Sequence, residues 1–137
     1  MIPKFRAWLP ALKWMCGVSA ILFDEESIDV YKADDAERVT EMNVHQDEVT
    51  LMQSTGLKDK NDTEIFEGDI VKTTRFFGRA DEIGGFYEYD KKIMGVVKQL
   101  EGAWVIDTGS EAVDLWTEIE ENSVIGNVWE DGGLIDN

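Results

Sequence analysis

With 137 residues the chain suits one domain that buries about two-thirds of the surface its unfolded form would expose, so a core can form without covalent staples. Its 29 acidic and 13 basic residues leave a formal net charge of -16, which favours solubility and opposes contact with phosphate backbones or anionic lipid. The lone cysteine, Cys16, excludes an internal disulfide, so the fold rests on packing, as expected in a reducing cytoplasm.

Residues 3–9 alternate, with Phe5, Ala7 and Leu9 on one side and Lys4, Arg6 and Trp8 on the other, which predicts a half-buried strand. Pro10 ends it, and residues 12–15 can return as its partner. The apolar run at 14–23 follows three basic residues but contains Gly17 and Ser19, lacks a small-residue cleavage site and leads into Asp24-Glu25-Glu26. It therefore reads as a buried strand region and not as a signal peptide, and it is far short of the roughly 20 apolar residues of a membrane span. Residues 18–23 and 27–31 continue a meander of short strands. Residues 32–46 are less committed: Ala33, Ala36, Val39 and Met42 are spaced like one helical face, yet large apolar residues are few. A short helix and a mobile excursion both remain open there. His45, the single histidine, has no second His or Cys nearby and reads as a surface residue.

Residues 49–55 form the next expected strand, broken by Gly56, and the polar run 58–62 reverses the chain because Asn and Asp bond their own backbone. Residues 64–67 are too few for a stable helix, and Gly68-Asp69 opens a strand over 70–74. Residues 75–89 place aromatic pairs beside Gly78 and Gly84-Gly85, the mark of a long hairpin arm or loop. Residues 91–100 and 103–107 make two strands around Glu101-Gly102, completing a three-stranded meander with 69–74. Val113, Trp116 and Ile119 fit a turn or two of helix, with a strand pair as the alternative. Residues 124–129 read as a closing strand and 130–137 as a frayed end.

Three blocks, IPKFRAW at 2–8, MQSTGLKDKNDTEIFEGDIVK at 52–72 and VIGNVWED at 124–131, resemble the YopX family of phage and prophage proteins in content and order. The resemblance spans essentially the whole chain and implies a mainly β fold and a phage or prophage origin in bacteria, hence the host cytoplasm. It brings no established activity, cofactor or catalytic residue. The motif positions Gly56, Asn61, Asp62, Gly68, Asp69, Gly126 and Asn127 are expected to serve the structure. The turn of such proteins tends to read Asn-Gly; here Asn61 precedes Asp62, which tolerates left-handed backbone less well and puts the turn geometry in question. The Gly-Asp start, hairpin and last short strand also resemble small SH3-like barrels. The expected fold is thus a single mainly β domain over 1–137: an N-terminal meander and acidic excursion over 1–48, then an SH3-like barrel core over 49–130 with short helical segments.

Asp59, Asn61 and Thr63 match the first positions of a calcium loop, but Glu64 stands where glycine is needed and Ile70 where a bidentate Glu is needed. Phosphate loops, dinucleotide fingerprints and paired-Cys motifs are missing from the sequence, and no cofactor or metal is expected. The acids Asp59, Glu64, Glu67 and Asp69 are the ones to watch for carboxylate chemistry, although a turn cap or a strand-entry role explains each. Twenty further acids fall in two blocks, ten over 24–48 and ten over 99–137, the second without one Lys or Arg, and read as solvated faces. Basic and aromatic residues interleave in one place, where Arg75, Phe76, Phe77, Arg79, Phe86, Tyr87 and Tyr89 make a candidate interaction surface. The net charge argues against nucleic acid there. The leading expectation is a noncatalytic protein acting through protein contacts, as a homo-oligomer or with a bacterial host protein. An acidic DNA mimic and a metal-assisted hydrolase are the alternatives.

Overall fold

A computed structural model describes residues 4–80, 84–115 and 121–134, with the backbone alone over 76–80 and 86–90. The described residues form eleven strands: β1 Phe5–Leu9, β2 Trp14–Leu22, β3 Ser27–Lys32, β4 Met42–His45, β5 Thr50–Lys58, β6 Glu64–Phe66, β7 Asp69–Ala80, β8 Phe86–Leu100, β9 Ala103–Asp107, β10 Ala112–Asp114 and β11 Ser123–Asn127. Helical geometry among the described residues is limited to the 3-10 turns Phe23–Glu25, Gln46–Glu48 and Gly132–Leu134. The mainly β expectation holds. No helix among the described residues is long and apolar enough to cross a membrane.

The chain divides into two compact units, Met1–Gly56 and Leu57–Asn137. β5 pairs with β1 from Thr50 to Gln53, which makes its first half part of the first unit. In that unit the strands stand in the order β4-β3-β2-β1-β5, all antiparallel along the described ladders. The run read as apolar becomes β2, flanked by β1 and β3, and Cys16 lies fully buried in a core with Ala7, Leu9, Ile28, Val30 and Val44. Burial raises the Cys16 thiol pKa, because the thiolate is poorly solvated there. Register places Gly17 opposite Tyr31, and a Cβ on Gly17 would lie 2.4 Å from the Tyr31 ring, so the missing side chain is what lets the ring lie across the strand.

Residues 33–41 form no helix and run instead through turns. Consecutive turns bond Asp35 N–H to Lys32 O, Arg38 N–H to Asp35 O and Glu41 N–H to Arg38 O. The Thr40 N–H and hydroxyl both donate to Asp35 Oδ2 at 2.7 Å, and these bonds, the backbone one foremost, hold the Asp35 pKa below its ordinary value. Side-chain bonds of this kind compete with the helical ladder, which explains why the weak helical spacing does not prevail. Arg38 stacks over Tyr31 at 4.6 Å and Lys32 over Trp14 at 5.6 Å.

The second unit carries a five-stranded antiparallel sheet in the order β10-β9-β8-β7-β11. Its core gathers Ile65, Val71, Ile93, Val97, Ile106 and Leu115. The β7, β8 and β9 strands are the expected meander, and β11 is the expected closing strand, pairing with β7. The sheet remains open, so the expected SH3-like barrel is not what these strands build. Closure requires the two end strands to join. Here one end is β10, only three residues long, and the other is β11, whose ladder with β7 is interrupted between Val124 and Gly126. The 111–119 segment supplies β10 and buried Leu115 in place of a helix through Val113, while Trp116 and Ile119 lie outside the described residues. Ile2, in the first of the three blocks, also lies outside them.

Candidate binding surfaces

The second and third blocks meet at Asp59. Its carboxylate is buried, with the Asn61 and Thr63 N–H groups donating to Oδ1 and the Val124 N–H donating to Oδ2, each at 2.9 Å. Burial pushes its pKa up, but the three N–H bonds, Val124's foremost, outweigh that and hold it below the ordinary carboxylate range. Lys60 N–H also reaches the Asn122 carbonyl, so the 59–63 turn is stitched twice to the stretch leading into β11. Asp62 adopts φ 66, taking the left-handed conformation at the position where glycine is usual.

Gly68-Asp69 works in the same way. Gly68 has φ 87, its N–H donates to Val97 O and its carbonyl accepts from Val128 N–H. Asp69, 2% exposed, accepts from Phe66 N–H at 2.8 Å. At the far end a Cβ on Gly126 would lie 2.6 Å from Asp131 Oδ2, and that same oxygen accepts from Asn127 N–H. Asn127 Oδ1 in turn accepts from Trp129 and Glu130 N–H. Gly56, with φ 78 and its N–H on Ser54 Oγ, bends β5 without ending it; the strand continues to Lys58. Two of the four acids watched for catalysis, Asp59 and Asp69, thus hold backbone N–H groups, while Glu64 and Glu67 are half-buried. Among the described residues no three His, Cys, Asp or Glu side chains are grouped to hold a metal ion.

The expected interaction surface lies along the β7-β8 hairpin, whose register runs unbroken from Ile70↔Val96 to Ala80↔Phe86 and includes Phe77↔Tyr89 and Arg79↔Tyr87. β11 pairs with β7 only over Ser123–Asn127 opposite Asp69, Ile70, Val71 and Lys72, and β9 pairs with β8 only from Val96 to Leu100. Beyond those contacts the hairpin continues as a two-stranded ribbon with no further strand pairing among the described residues. Arg75 stands apart from the rest of the set: it is 8% exposed, and its Nη2 donates to the Leu115 carbonyl at 3.5 Å, inside the second unit. Phe76, Phe77, Arg79, Phe86, Tyr87 and Tyr89 are placed by backbone register.

A third feature was not singled out in the sequence. In the first unit a depression of about 330 Å³ has apolar walls from Ile21, Leu22, Phe23, Ile28, Val49 and Leu51. Glu26, Ser27, Gln46 and Asp47 supply its polar lining. Phe23 is 83% exposed, although the run that contains it reads as buried. The rim is built by two 3-10 turns. Glu26 at φ 52 closes the first, and its carbonyl accepts from Gln46 N–H, which draws the second alongside. His45 caps the second: its Nδ1 accepts from Asp47 N–H, and its own N–H donates to Glu48. The available signal was Phe23 standing directly before three consecutive acids.

The described strands thus form two antiparallel sheets, and the second and third sequence blocks serve turns and strand junctions in the mainly β fold. The YopX protein family matches residues 4–136, and the chain belongs to that family. In fold it is similar to the crystal structure of protein EF1440 from Enterococcus faecalis, with TM-score 0.55 and 24% identity over 99% of each chain. A comparison with curated proteins gives no match.

Proposed function

We propose that this YopX-family chain is a noncatalytic protein of phage or prophage type that acts in the host cytoplasm through protein contacts made by the β7-β8 arm. The observation that carries this reading is the ribbon itself. β7 has 12 residues and β8 has 15, yet β11 and β9 cover only their sheet-side portions. A ribbon of two strands is marginal alone in water, and among the described residues no further strand pairs with its edges, the arrangement by which a sheet recruits a strand from another chain. Its sequence adds the aromatic and basic residues Phe76, Phe77, Arg79, Phe86, Tyr87 and Tyr89.

The test joins Arg75 to Lys91 through an Asn-Gly hairpin turn, removing the ribbon while keeping the last register pair beneath it. Light scattering and affinity capture from bacterial lysate then compare the shortened and full chains. The expected result is a full chain that self-associates or retains a specific protein, and a shortened chain with an intact melting transition that does neither. A monomeric full chain that captures nothing beyond what its shortened form captures overturns the reading.

A further inference from the structure

We infer that the acid-rimmed depression in the first unit is a docking site for a basic polypeptide segment carrying a bulky apolar residue. The site is separate from the β7-β8 arm and does not depend on it. Its volume, about 330 Å³, is at the lower end of ligand pockets and suits one or two large side chains. Ile28 lies buried at the apolar surface, Ile21, Val49 and Leu51 are half-buried, and Phe23 stands almost fully exposed beside them. An aromatic ring held at the mouth of an apolar depression exposes surface that an entering side chain would cover, and such anchors dominate binding energy where they occur.

The rim states the charge of the occupant. Glu26 and Asp47 line the depression, and no Lys or Arg does. Asp24, Glu25 and Glu48 belong to the same two turns, so the short segments bearing the rim hold five carboxylates. His45 lies 3.7 Å from Glu26 and 3.4 Å from Asp47 and is the one basic side chain recorded beside them among the described residues. The aromatic-stacked cations Lys32 and Arg38 of this unit are engaged with Trp14 and Tyr31. A second copy of the chain would bring a net charge of -16 towards this rim, whereas lysines or arginines flanking an apolar anchor would meet it favourably.

The full chain is titrated with three fluorescein-labelled peptides, KKLWLKK, KKSSSKK and EELWLEE. Saturable one-to-one binding is expected for the first alone. Phe23→Ser weakens it about tenfold, and Glu26→Gln with Asp47→Asn weakens it about threefold at low salt, a difference that closes as salt rises. Glu101→Gln with Asp114→Asn makes the same change of charge in the second unit and leaves binding unaltered. The arm-shortened chain binds as the full chain does, which keeps this inference distinct from the proposed function. Equal binding of KKSSSKK, or wild-type affinity in Phe23→Ser, reduces the effect to diffuse attraction and overturns the inference. Equal binding of EELWLEE overturns the charge selection. A mass that doubles in wild type but not in Phe23→Ser makes a second copy the occupant and equally overturns it.

Discussion

Asp59 shows how one side chain can close a fold locally and at long range. A carboxylate accepting three backbone N–H bonds contributes charge-assisted bonds that a neutral amide cannot reproduce, because one of its two atoms becomes a donor facing other donors. Asp59→Asn is expected to lower unfolding free energy by about 1.5 kcal/mol and Asp59→Ala by about 3 kcal/mol, read from urea titrations near neutral pH. The folded pKa is depressed, so the stabilisation is complete above the unfolded value of about 3.9 and is lost as pH falls through the lower folded value. The gap between wild type and Asp59→Asn therefore narrows only in that acid range. Asp62, at φ 66, occupies backbone that glycine adopts without steric cost, and its ion pair with Lys58 is exposed. Asp62→Gly is expected to raise stability by about 0.5 to 1 kcal/mol in the same titration. The departure from Asn-Gly was visible in the sequence and pointed to this turn; that the backbone keeps its left-handed residue all the same is not written in the residue type. Asp59 was legible as one of four acids in a polar turn; its third donor, Val124, was not, because it lies 65 residues away.

At the scale of elements, alternation and turn residues placed most strands, because a half-buried strand must present its apolar side chains every second residue. The 70–74, 91–100 and 103–107 readings became β7, β8 and β9, and 124–129 became β11 with its neighbours. The readings that changed share a cause. Residues 33–41 were open because helical spacing competes there with Asp35 and Thr40, whose bonds decide the course and leave no periodic trace. Gly56 signalled a break, yet glycine can bend a strand while the ladder resumes. Gly95 illustrates a constraint of the opposite kind. A Cβ there would lie 2.4 Å from the Asp107 carbonyl oxygen, a backbone atom that cannot rotate away. Gly95→Ala must part β8 from β9 and is expected to cost about 2 to 3 kcal/mol, with amide exchange accelerating first along Ala103–Asp107. A variant that melts with wild type would show that the two strands slide apart without loss.

For the molecule as a whole, charge was the most legible property and closure the least. Net charge follows from composition alone, and like charges at this density oppose compaction until salt screens them. Raising NaCl from about 0.05 to 0.5 M should therefore raise the melting temperature by a few degrees, as the Debye length falls from about 14 to 4 Å. A melting temperature that falls instead would mean that attractive pairs such as Lys91–Glu111 and Lys98–Asp107 outweigh the repulsion. The barrel expectation failed because strand positions do not specify which end strands meet; that depends on the length of β10 and the bulge in β11, neither of which has a distinct local pattern. The candidate groove was hidden for a related reason: its walls come from residues 21–28 and 46–51, which only the folded first unit brings together.

The long reach from Asp59 to Val124 also orders events during synthesis. The first unit can assemble on the ribosome as soon as residue 56 has emerged, since every partner in its core is already made. The second needs β11, made some 65 residues after Asp59, and until then β7 offers an unoccupied flank to whatever else is nearby. A stalled or prematurely terminated chain would thus pair a finished amino-terminal half with an unsealed remainder, which is the kind of product that chaperones retain and proteases remove.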